Sequence, residues 1–308
     1  MAGNSNLQDS RNQKQDEFYT QYKDIEKELS HYNDAFCGKR VLCNCDDPEW
    51  SNFWKYFKDN YDSLHLERLT ATHYEATEEP SYRLDYDGKH TIKTMLNGNG
   101  DFQSDECKRI LEESDICVTN PPFSKMKCYL PYLITSGKQY LILGNLNHVT
   151  MKNITPFFLD GSCWLGYESG HLWFMVPDDY EEKGTDYKQD ENGQKWRRIG
   201  NCCWFTNISI SKNKPFISLT KSIKTDKYEK YDNYDVINVN KVDDIPFDWD
   251  GVMGVPITFL SRYCPEQFQL LGLANSNRYI GYPCITRING KNKYQRVLIR
   301  RKGGITNG

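Results

Sequence analysis

The chain has 308 residues, of which 38% are hydrophobic and 14% aromatic, so it is long and apolar enough to build a folded core. This length excludes a peptide or a disulfide miniprotein. The formal net charge is −3, which excludes the overall basic charge of many small nucleic-acid binders, so any nucleic-acid contact must come from a local patch.

The eleven cysteines are irregularly placed and lack the Cys-x-x-Cys spacing typical of zinc sites. We interpret them as reduced, mostly buried thiols rather than as a metal site. Residues 1–16 are polar, and no apolar run reaches the roughly 18 residues of a membrane span. We therefore expect a cytoplasmic protein with no membrane segment and no bound metal.

Residues 16–32 place Tyr22, Ile25 and Leu29 three and four positions apart between charged residues, which predicts an amphipathic helix. Strands and helices then alternate along the chain. The predicted strands are residues 39–44, 64–70, 91–96, 115–119 and 140–143, and the predicted helices are residues 50–61, 103–113 and 126–136. This alternation favours a doubly wound, mostly parallel sheet, in which ligands bind beyond the carboxyl ends of the strands.

The pattern changes after about residue 150. Short β-like runs occur at residues 164–167, 172–176 and 203–206, and an acidic turn region lies between them at 178–191. We expect the sheet to end there. No internal repeat and no obvious linker divides the chain.

The most informative segment is Asn120-Pro121-Pro122-Phe123, directly after a predicted buried strand. Two prolines fix the loop and donate no backbone hydrogen bonds, so carbonyl oxygens are left to point outward beside an aromatic ring. The Asn120 side-chain oxygen and a proline carbonyl can hold the hydrogens of an exocyclic amine, and Phe123 can stack on a base taken out of its duplex. The alternative is a plain proline turn.

Asn120–Phe123 resembles the NPP(F/Y) motif of amino-group methyltransferases, and the wider sequence resembles the EcoRI-type adenine-specific DNA methyltransferase family. The segments that carry the resemblance are DEFYTQYKDIEKEL from Asp16, CNCDDPEWSNFWKYF from Cys43, GDFQSDEC from Gly100, LILGNLNHVT from Leu141, CCWFTNI from Cys202, YDNYDVINVNKVDDIP from Tyr231 and DGVMGVPITFLSRYCPEQFQLLG from Asp250. NPPF alone would also fit methylation of guanine in ribosomal RNA or of protein glutamine. The combination of segments indicates DNA adenine N6.

The resemblance implies S-adenosylmethionine as the cofactor. Phe18, Tyr19 and Thr20 match a segment that helps to wall the cofactor site in similar enzymes, where an aromatic ring near a sulfonium is favourable. The alternative is that the aromatic rings of Phe18 and Tyr19 pack on the core at the start of the helix.

Three further residue groups belong to the expected cofactor site. Asn44, Asp46 and Asp47 follow the first strand, where the glycine-rich turn usual in methyltransferases is absent, and the two carboxylates could instead cap the next helix. Asp101 and Phe102 resemble the segment that contacts the cofactor adenine; the alternative for Asp101 is helix capping. No acidic residue at the end of the second strand is assigned to the ribose.

The strongest candidate for DNA contact is residues 287–302, which contain seven Lys or Arg and no Asp or Glu. They alternate with apolar residues around Asn289-Gly290, which predicts a basic hairpin suited to phosphate contacts. The candidate DNA-binding residues are Arg287, Lys291, Lys293 and Arg296. A solvated edge hairpin is the alternative.

The resemblance implies a class I methyltransferase fold, Rossmann-like, with a mostly parallel seven-stranded sheet and helices on both faces, and the alternation of strands and helices supports it. We expect a polar N-terminus at 1–16, a catalytic domain at 17–210 and a DNA target-recognition region at 211–308. The expected activity is methyl transfer from S-adenosylmethionine to N6 of a flipped adenine in duplex DNA, for restriction-modification or for protection of host or phage DNA. The alternatives are an RNA base methyltransferase and a catalytically silent, protective DNA-binding protein. We expect a monomer that needs no obligatory protein partner.

Overall fold

The structure is a computed structural model that describes residues 19–45, 47–75, 79–177, 180, 185–209, 214–274, 286–293 and 296–302. The α-helices in these residues are α1 (Tyr22–Leu29), α2 (Asn33–Phe36), α3 (Asn52–Asp59), α4 (Asp105–Glu112), α5 (Met126–Thr135) and α6 (Thr155–Leu159). Short 3₁₀ helices cover Ser30–Tyr32, Phe123–Lys125, Leu146–Thr150, Val242–Asp244 and Ile257–Arg262. None of the described helices is long and apolar enough to cross a bilayer.

The chain divides into two compact units, one formed by residues 1–145 and 166–208 and the other by residues 146–165 and 209–308. The strands up to residue 206 are β1 (Arg40–Cys43), β2 (Arg68–Thr72), β3 (Tyr82–Tyr86), β4 (Thr91–Met95), β5 (Ile116–Thr119), β6 (Gln139–Asn145), β7 (Trp164–Met175), β8 (Tyr187–Gln189) and β9 (Lys195–Thr206). The later strands are β10 (Glu229–Lys230), β11 (Val236–Asn238), β12 (Val252–Pro256), β13 (Phe268–Ala274), β14 (Thr286–Ile288), β15 (Lys291–Lys293) and β16 (Arg296–Arg301).

The large sheet has the order β4-β3-β2-β1-β5-β6-β9-β7, with β8 paired to β9. Its centre is parallel, because β1 pairs in parallel with β2 and β5, and β5 pairs in parallel with β6. Antiparallel pairs flank this centre. On one side β2 pairs with β3 and β3 pairs with β4, and on the other side β6 pairs with β9. This arrangement agrees with the class I methyltransferase fold expected from the sequence.

The sheet has nine strands rather than seven. The sequence analysis missed β3, a half-buried strand whose Arg83 and Asp85 form an ion pair with a 2.7 Å N–O distance. It also interpreted 178–191 as a turn region, where β8 pairs with β9. Both strands lie near the sheet margin and carry charged side chains, so their hydrophobic pattern is weak.

The two faces of the parallel centre are covered by different helices. One face contributes Val41, Val118 and Leu143 to a core that also contains Ile25 of α1 and Phe53 of α3. The intervening side chains point the other way, as the period of two in a strand requires. Cys117 of β5, for example, lies 3.4 Å from the Tyr129 hydroxyl of α5. Burial on both faces explains why β1, β5 and β6 are nearly continuous apolar runs.

A buried carboxylate joins α1 to β7. Glu28 is fully buried, and its side chain accepts hydrogen bonds from the Tyr32 hydroxyl (2.7 Å) and from the backbone N–H groups of Tyr167 and Glu168 (3.0 and 2.6 Å). Gly166 leaves room for this approach, because a Cβ at that position would lie 2.1 Å from the carboxylate. The contact fixes the strand that leads to Phe174 against the first helix.

The second unit is built around the sheet β10-β11-β12-β16-β13. β14 and β15 form the basic hairpin predicted from the sequence, with Asn289 and Gly290 at positive φ in the turn. Residues 146–165 belong to this unit together with residues 209–308. Its assignment to DNA target recognition stays a prediction.

Candidate functional site

The candidate site lies at the carboxyl edge of the parallel strands. β1, β2 and β5 run in the same direction, so the loops that begin at Asn44, His73 and Asn120 leave the sheet at the same edge. In a sheet of this kind, ligands bind at that edge.

The Asn120–Phe123 loop has the form that the two prolines dictate. Asn120 is 5% exposed and Pro121 is buried, while Pro122 and Phe123 are half-buried. The Pro122 carbonyl accepts the backbone N–H of Lys125 at 2.9 Å, which closes the 3₁₀ turn after the motif. This turn does not use the Pro121 carbonyl.

Phe123 is connected to the first described residues of the chain through β7. Its ring meets the fully buried ring of Phe174 edge-on, with the centroids 6.3 Å apart. The next residue, Met175, exchanges two backbone hydrogen bonds with Tyr19, of 2.9 and 3.1 Å. Two adjacent residues of β7 therefore contact the two segments: Phe174 contacts the Asn120–Phe123 loop, and Met175 holds Tyr19.

Thr20 is tied to the loop after β1. Its backbone carbonyl accepts the side-chain amide of Asn52 at 2.8 Å, at the start of α3. The hydroxyls of Thr20 and of Thr119, the last residue of β5, are buried and have no hydrogen-bond partner among the residues that the structure describes. Buried hydroxyls are normally satisfied, so these two are candidates for contact with a bound group.

A hydrogen-bonded cluster links Asn44 to Phe102. The Tyr129 hydroxyl donates to Asn44 Oδ1, and the Cys117 thiol lies 3.4 Å from the same oxygen. Burial raises the pKa of Tyr129 well above its ordinary value and that of Cys117 to about 12, so both stay protonated donors. The Tyr129 ring in turn meets the Phe102 ring edge-on at 4.9 Å. The side-chain oxygen of Asn44 is thus occupied by hydrogen bonds that fix the loop, and its amide nitrogen is the remaining polar group.

Asp47 lies between the ends of β1 and β2. Its Oδ1 accepts the Tyr82 hydroxyl at 2.8 Å and the Glu49 backbone N–H at 3.0 Å, and its Oδ2 lies 3.8 Å from His73 Nδ1. On its other side, His73 Nε2 lies 3.7 Å from the Glu75 carboxylate. Asp47 caps a local turn, whereas Ser51 caps α3 by accepting the Phe53 N–H.

The loop that carries Asp101 packs closely on the end of β2. Gly100 has φ +81°, and a Cβ there would lie 1.9 Å from the His73 carbonyl oxygen, so the approach requires glycine. Asp101 Oδ1 accepts the Gln103 N–H at 2.8 Å, while Ser104 caps α4. The Asp101 charge and burial both raise the pKa of Tyr74, burial being the larger cause.

The structure therefore brings most of the predicted cofactor residues to one edge: Tyr19, Thr20, Asn44, Asp47, Asp101 and Phe102 all lie in loops or contacts of this edge. Phe18 and Asp46 lie outside the described residues. His73, which follows β2 directly and lies between the carboxylates of Asp47 and Glu75, was not among the predicted site residues; its position at the end of a parallel strand was the available signal.

The predicted DNA-binding residues all belong to the second unit. Arg287 and Lys291 are exposed on the hairpin, whose turn is held by Asp232 through the N–H groups of Asn289 and Gly290 at 3.0 and 2.8 Å. Lys293 lies in β15, and its side chain is outside the described residues. Arg296 differs from the others because it is half-buried and donates its Nε to Asn238 Oδ1 at 3.3 Å.

The sequence was compared with known proteins. The family described as adenine-specific methyltransferase EcoRI matches residues 6–302. The Type II methyltransferase M.EcoRI of Escherichia coli is 41% identical over 98% of both chains. The Type II methyltransferase M.MpnI of Mycoplasma pneumoniae is 35% identical over 95% of this chain and 97% of its own. A further Type II methyltransferase, of Mycoplasma genitalium, is 35% identical over 94% of this chain and 96% of its own. No solved structure matches the chain.

Proposed function

Because this chain belongs to the adenine-specific methyltransferase EcoRI family, we propose that it transfers a methyl group from S-adenosylmethionine to N6 of an adenine taken out of duplex DNA. The family resemblance drawn from the sequence motifs is confirmed. The relatives are named Type II methyltransferases, and we place this chain in the same restriction-modification setting.

The residues at the carboxyl edge fit S-adenosylmethionine. Carboxylates of Asp47 and Asp101 can accept from its amines and hydroxyls, and the ring of Phe102 can lie against its adenine. The Thr20 hydroxyl is a buried group that lacks a partner among the described residues. When bound, the cofactor would supply an electrophilic methyl group for transfer to the adenine amine.

The Asn120–Phe123 loop carries the proposed chemistry. The lone pair of an adenine amine is delocalised into the ring, so the nitrogen becomes nucleophilic when two acceptors hold its hydrogens and favour a tetrahedral geometry. Asn120 Oδ1 and the Pro121 carbonyl are those acceptors. Phe123 stacks on the base, and Pro122 fixes the loop through the turn to Lys125. Most of the rate then comes from alignment for in-line displacement.

No base needs to act before methyl transfer, because the amine can lose its proton afterwards. This fits the chemistry of the loop, in which neither Asn120 nor the prolines can take a proton. The observation that carries the proposal is the Asn120–Phe123 loop at the carboxyl edge of β5, in a chain of this family.

The proposal is tested by incubating the protein with tritiated S-adenosylmethionine and matched DNA and RNA duplexes, followed by nucleoside analysis. We expect the label in N6-methyladenine from DNA. Label in RNA alone would contradict the DNA assignment. Binding of DNA without label in any substrate would indicate a silent protective protein.

A further inference from the structure

One buried asparagine in the second unit holds the side chains of Arg296 and Asn240. The methyl-transfer chemistry proposed above does not explain this arrangement. Asn238, at the end of β11, is 3% exposed. Its side chain makes three hydrogen bonds, with the Tyr231 hydroxyl (3.0 Å), with Arg296 Nε (3.3 Å) and with Asn240 Oδ1 (3.0 Å). We call these four side chains the Asn238 network.

The donor and acceptor roles in the Asn238 network follow from chemistry. A guanidinium can only donate, so the Asn238 atom that meets Arg296 must be the amide oxygen. The Asn238 amide nitrogen then faces Asn240, which must offer its own oxygen. Arg296, which can only donate hydrogen bonds, therefore fixes the orientation of both asparagine amides.

The backbone is shaped to admit the Asn238 network. Asn238 pairs with Gly254 of β12, and a Cβ on Gly254 would lie 2.2 Å from the Tyr231 hydroxyl. Pro256, two residues later in β12, pairs with Arg296 of β16. Because Gly254 has no side chain, the buried Tyr231 hydroxyl can lie against β12 beside the Asn238 amide that holds Arg296.

Two polar edges of the Asn238 network remain for a ligand. The terminal nitrogens of Arg296 have no partner among the described residues, and neither does the Asn240 amide nitrogen. Asn240 is exposed and lines a polar groove of about 220 Å³, whose other walls include Lys221 and Tyr228. Lys227, Asp226 and Asp244 line the groove as well, so its two lysines are balanced by two aspartates and it has no net positive charge that would favour a phosphate.

The free edges match the base edges of the DNA major groove. An arginine fork pairs with O6 and N7 of guanine, and an asparagine amide pairs with N6 and N7 of adenine. We propose that Arg296 and Asn240 contact base edges and set the DNA sequence preference, and that Asn238 is the residue that positions both. This inference rests on the proposed DNA methyltransferase function. It assigns Arg296 to base recognition, whereas exposed Arg287 and Lys291 remain candidates for phosphate contacts.

The test begins with the sequence motif that the wild-type protein methylates in a plasmid library of randomised sites. Arg296→Lys keeps the charge but loses the fork, and Asn240→Ala removes one amide. Each is expected to reduce discrimination at one base pair by about 5- to 150-fold, at a guanine for Arg296 and at an adenine for Asn240. Asn192→Ala, which removes an exposed asparagine of the other unit, serves as the matched control and should leave the motif unchanged.

Asn238→Asp tests the positioning role. The carboxylate still accepts from Arg296 but cannot donate to Asn240, so we expect discrimination to fall at the Asn240 position and to persist at the Arg296 position. The melting temperature of each variant shows whether it is folded. A folded Arg296→Lys or Asn240→Ala protein with the wild-type motif would overturn the inference while leaving the DNA methyltransferase function standing. Absence of methyladenine with the wild-type protein would instead reject that function.

Discussion

The proposed function assigns two aromatic residues of the candidate site to different ligands, Phe102 to the cofactor and Phe123 to the target base. Phe102 contacts Tyr129, and Phe123 follows the two prolines and contacts Phe174. The rings occupy different loops at the same sheet edge. Their replacement should therefore affect different ligands.

We expect Phe123→Ala to weaken productive DNA binding by about 5- to 150-fold, because stacking on a base is lost, and to leave S-adenosylmethionine affinity unchanged. Phe102→Ala should do the reverse. Steady-state kinetics with varied DNA, together with equilibrium dialysis of the cofactor, measure both effects. Equal loss of both affinities in both variants would contradict the division of roles.

Residue-scale sequence reasoning found the side chains that occur in motifs and missed those that act through tertiary contacts. Asn120 and Phe102 could be predicted because their neighbours in sequence define a recognisable loop. Glu28 belongs to an amphipathic helix, where a glutamate is expected to face solvent, yet it is buried and holds β7. Its backbone partners in β7 lie 139 and 140 positions away, beyond any local pattern.

At the scale of the elements, the loop between β4 and α4 depends on one glycine. We expect Gly100→Ala to lower the free energy of unfolding by about 1–3 kcal/mol and to weaken cofactor binding, because φ is positive and the new Cβ would collide with the His73 carbonyl.

Gly98→Ala is the matched control for this change. A Cβ at position 98 meets no atom within 4 Å, so thermal unfolding and cofactor titration should match those of the wild type. Identical behaviour of the Gly98 and Gly100 variants would show that the close approach of this loop does not shape the site.

The start of β1 is joined to β5 by an ion pair with a defined pH dependence. Arg40 donates to the Asp115 carboxylate at 2.7 and 3.0 Å, and this contact lowers the pKa of Asp115 from 3.8 to about 2. A carboxyl whose pKa is lowered by folding stabilises the folded state above its ordinary pKa and loses that effect as the pH falls through the folded value.

The difference in unfolding free energy between the wild type and Asp115→Asn should therefore be largest above about pH 4 and vanish towards about pH 2. Denaturant titrations across this range measure it. Asp105→Asn, at an exposed carboxylate, controls for the general loss of charge. A difference that grows as the pH falls would contradict the sign.

The element order was predictable where burial on both faces of the sheet produces continuous apolar runs, as in β1, β5 and β6. The Asn289-Gly290 turn was predictable because its residues accept positive φ. Other boundaries were not predictable. The sequence predicts two short strands at 164–167 and 172–176, whereas β7 is one strand from Trp164 to Met175. The polar, partly exposed residues at its centre interrupt the apolar pattern.

At the scale of the whole molecule, a chain with a net charge of −3 needs a local basic surface to bind a polyanion. We expect Lys291→Ala to weaken DNA binding equally for all sequences and to reduce the slope of log affinity against log salt by about 1, because one phosphate contact is lost. Lys108→Ala, at an exposed lysine of the other unit, should leave the slope unchanged. Fluorescence anisotropy at several salt concentrations measures the slope, and an unchanged slope for Lys291→Ala would remove the hairpin from the DNA interface.

The measurement that tests the account most directly compares the wild type with Asn120→Ala in a single turnover with S-adenosylmethionine and duplex DNA, with N6-methyladenine counted by mass spectrometry. We expect N6-methyladenine with the wild type, a rate at least about 100-fold lower for the variant, and equal cofactor affinity for both, since the proposed role of Asn120 is on the adenine amine. Methyl transfer by Asn120→Ala at the wild-type rate, or wild-type product on another base, would contradict it.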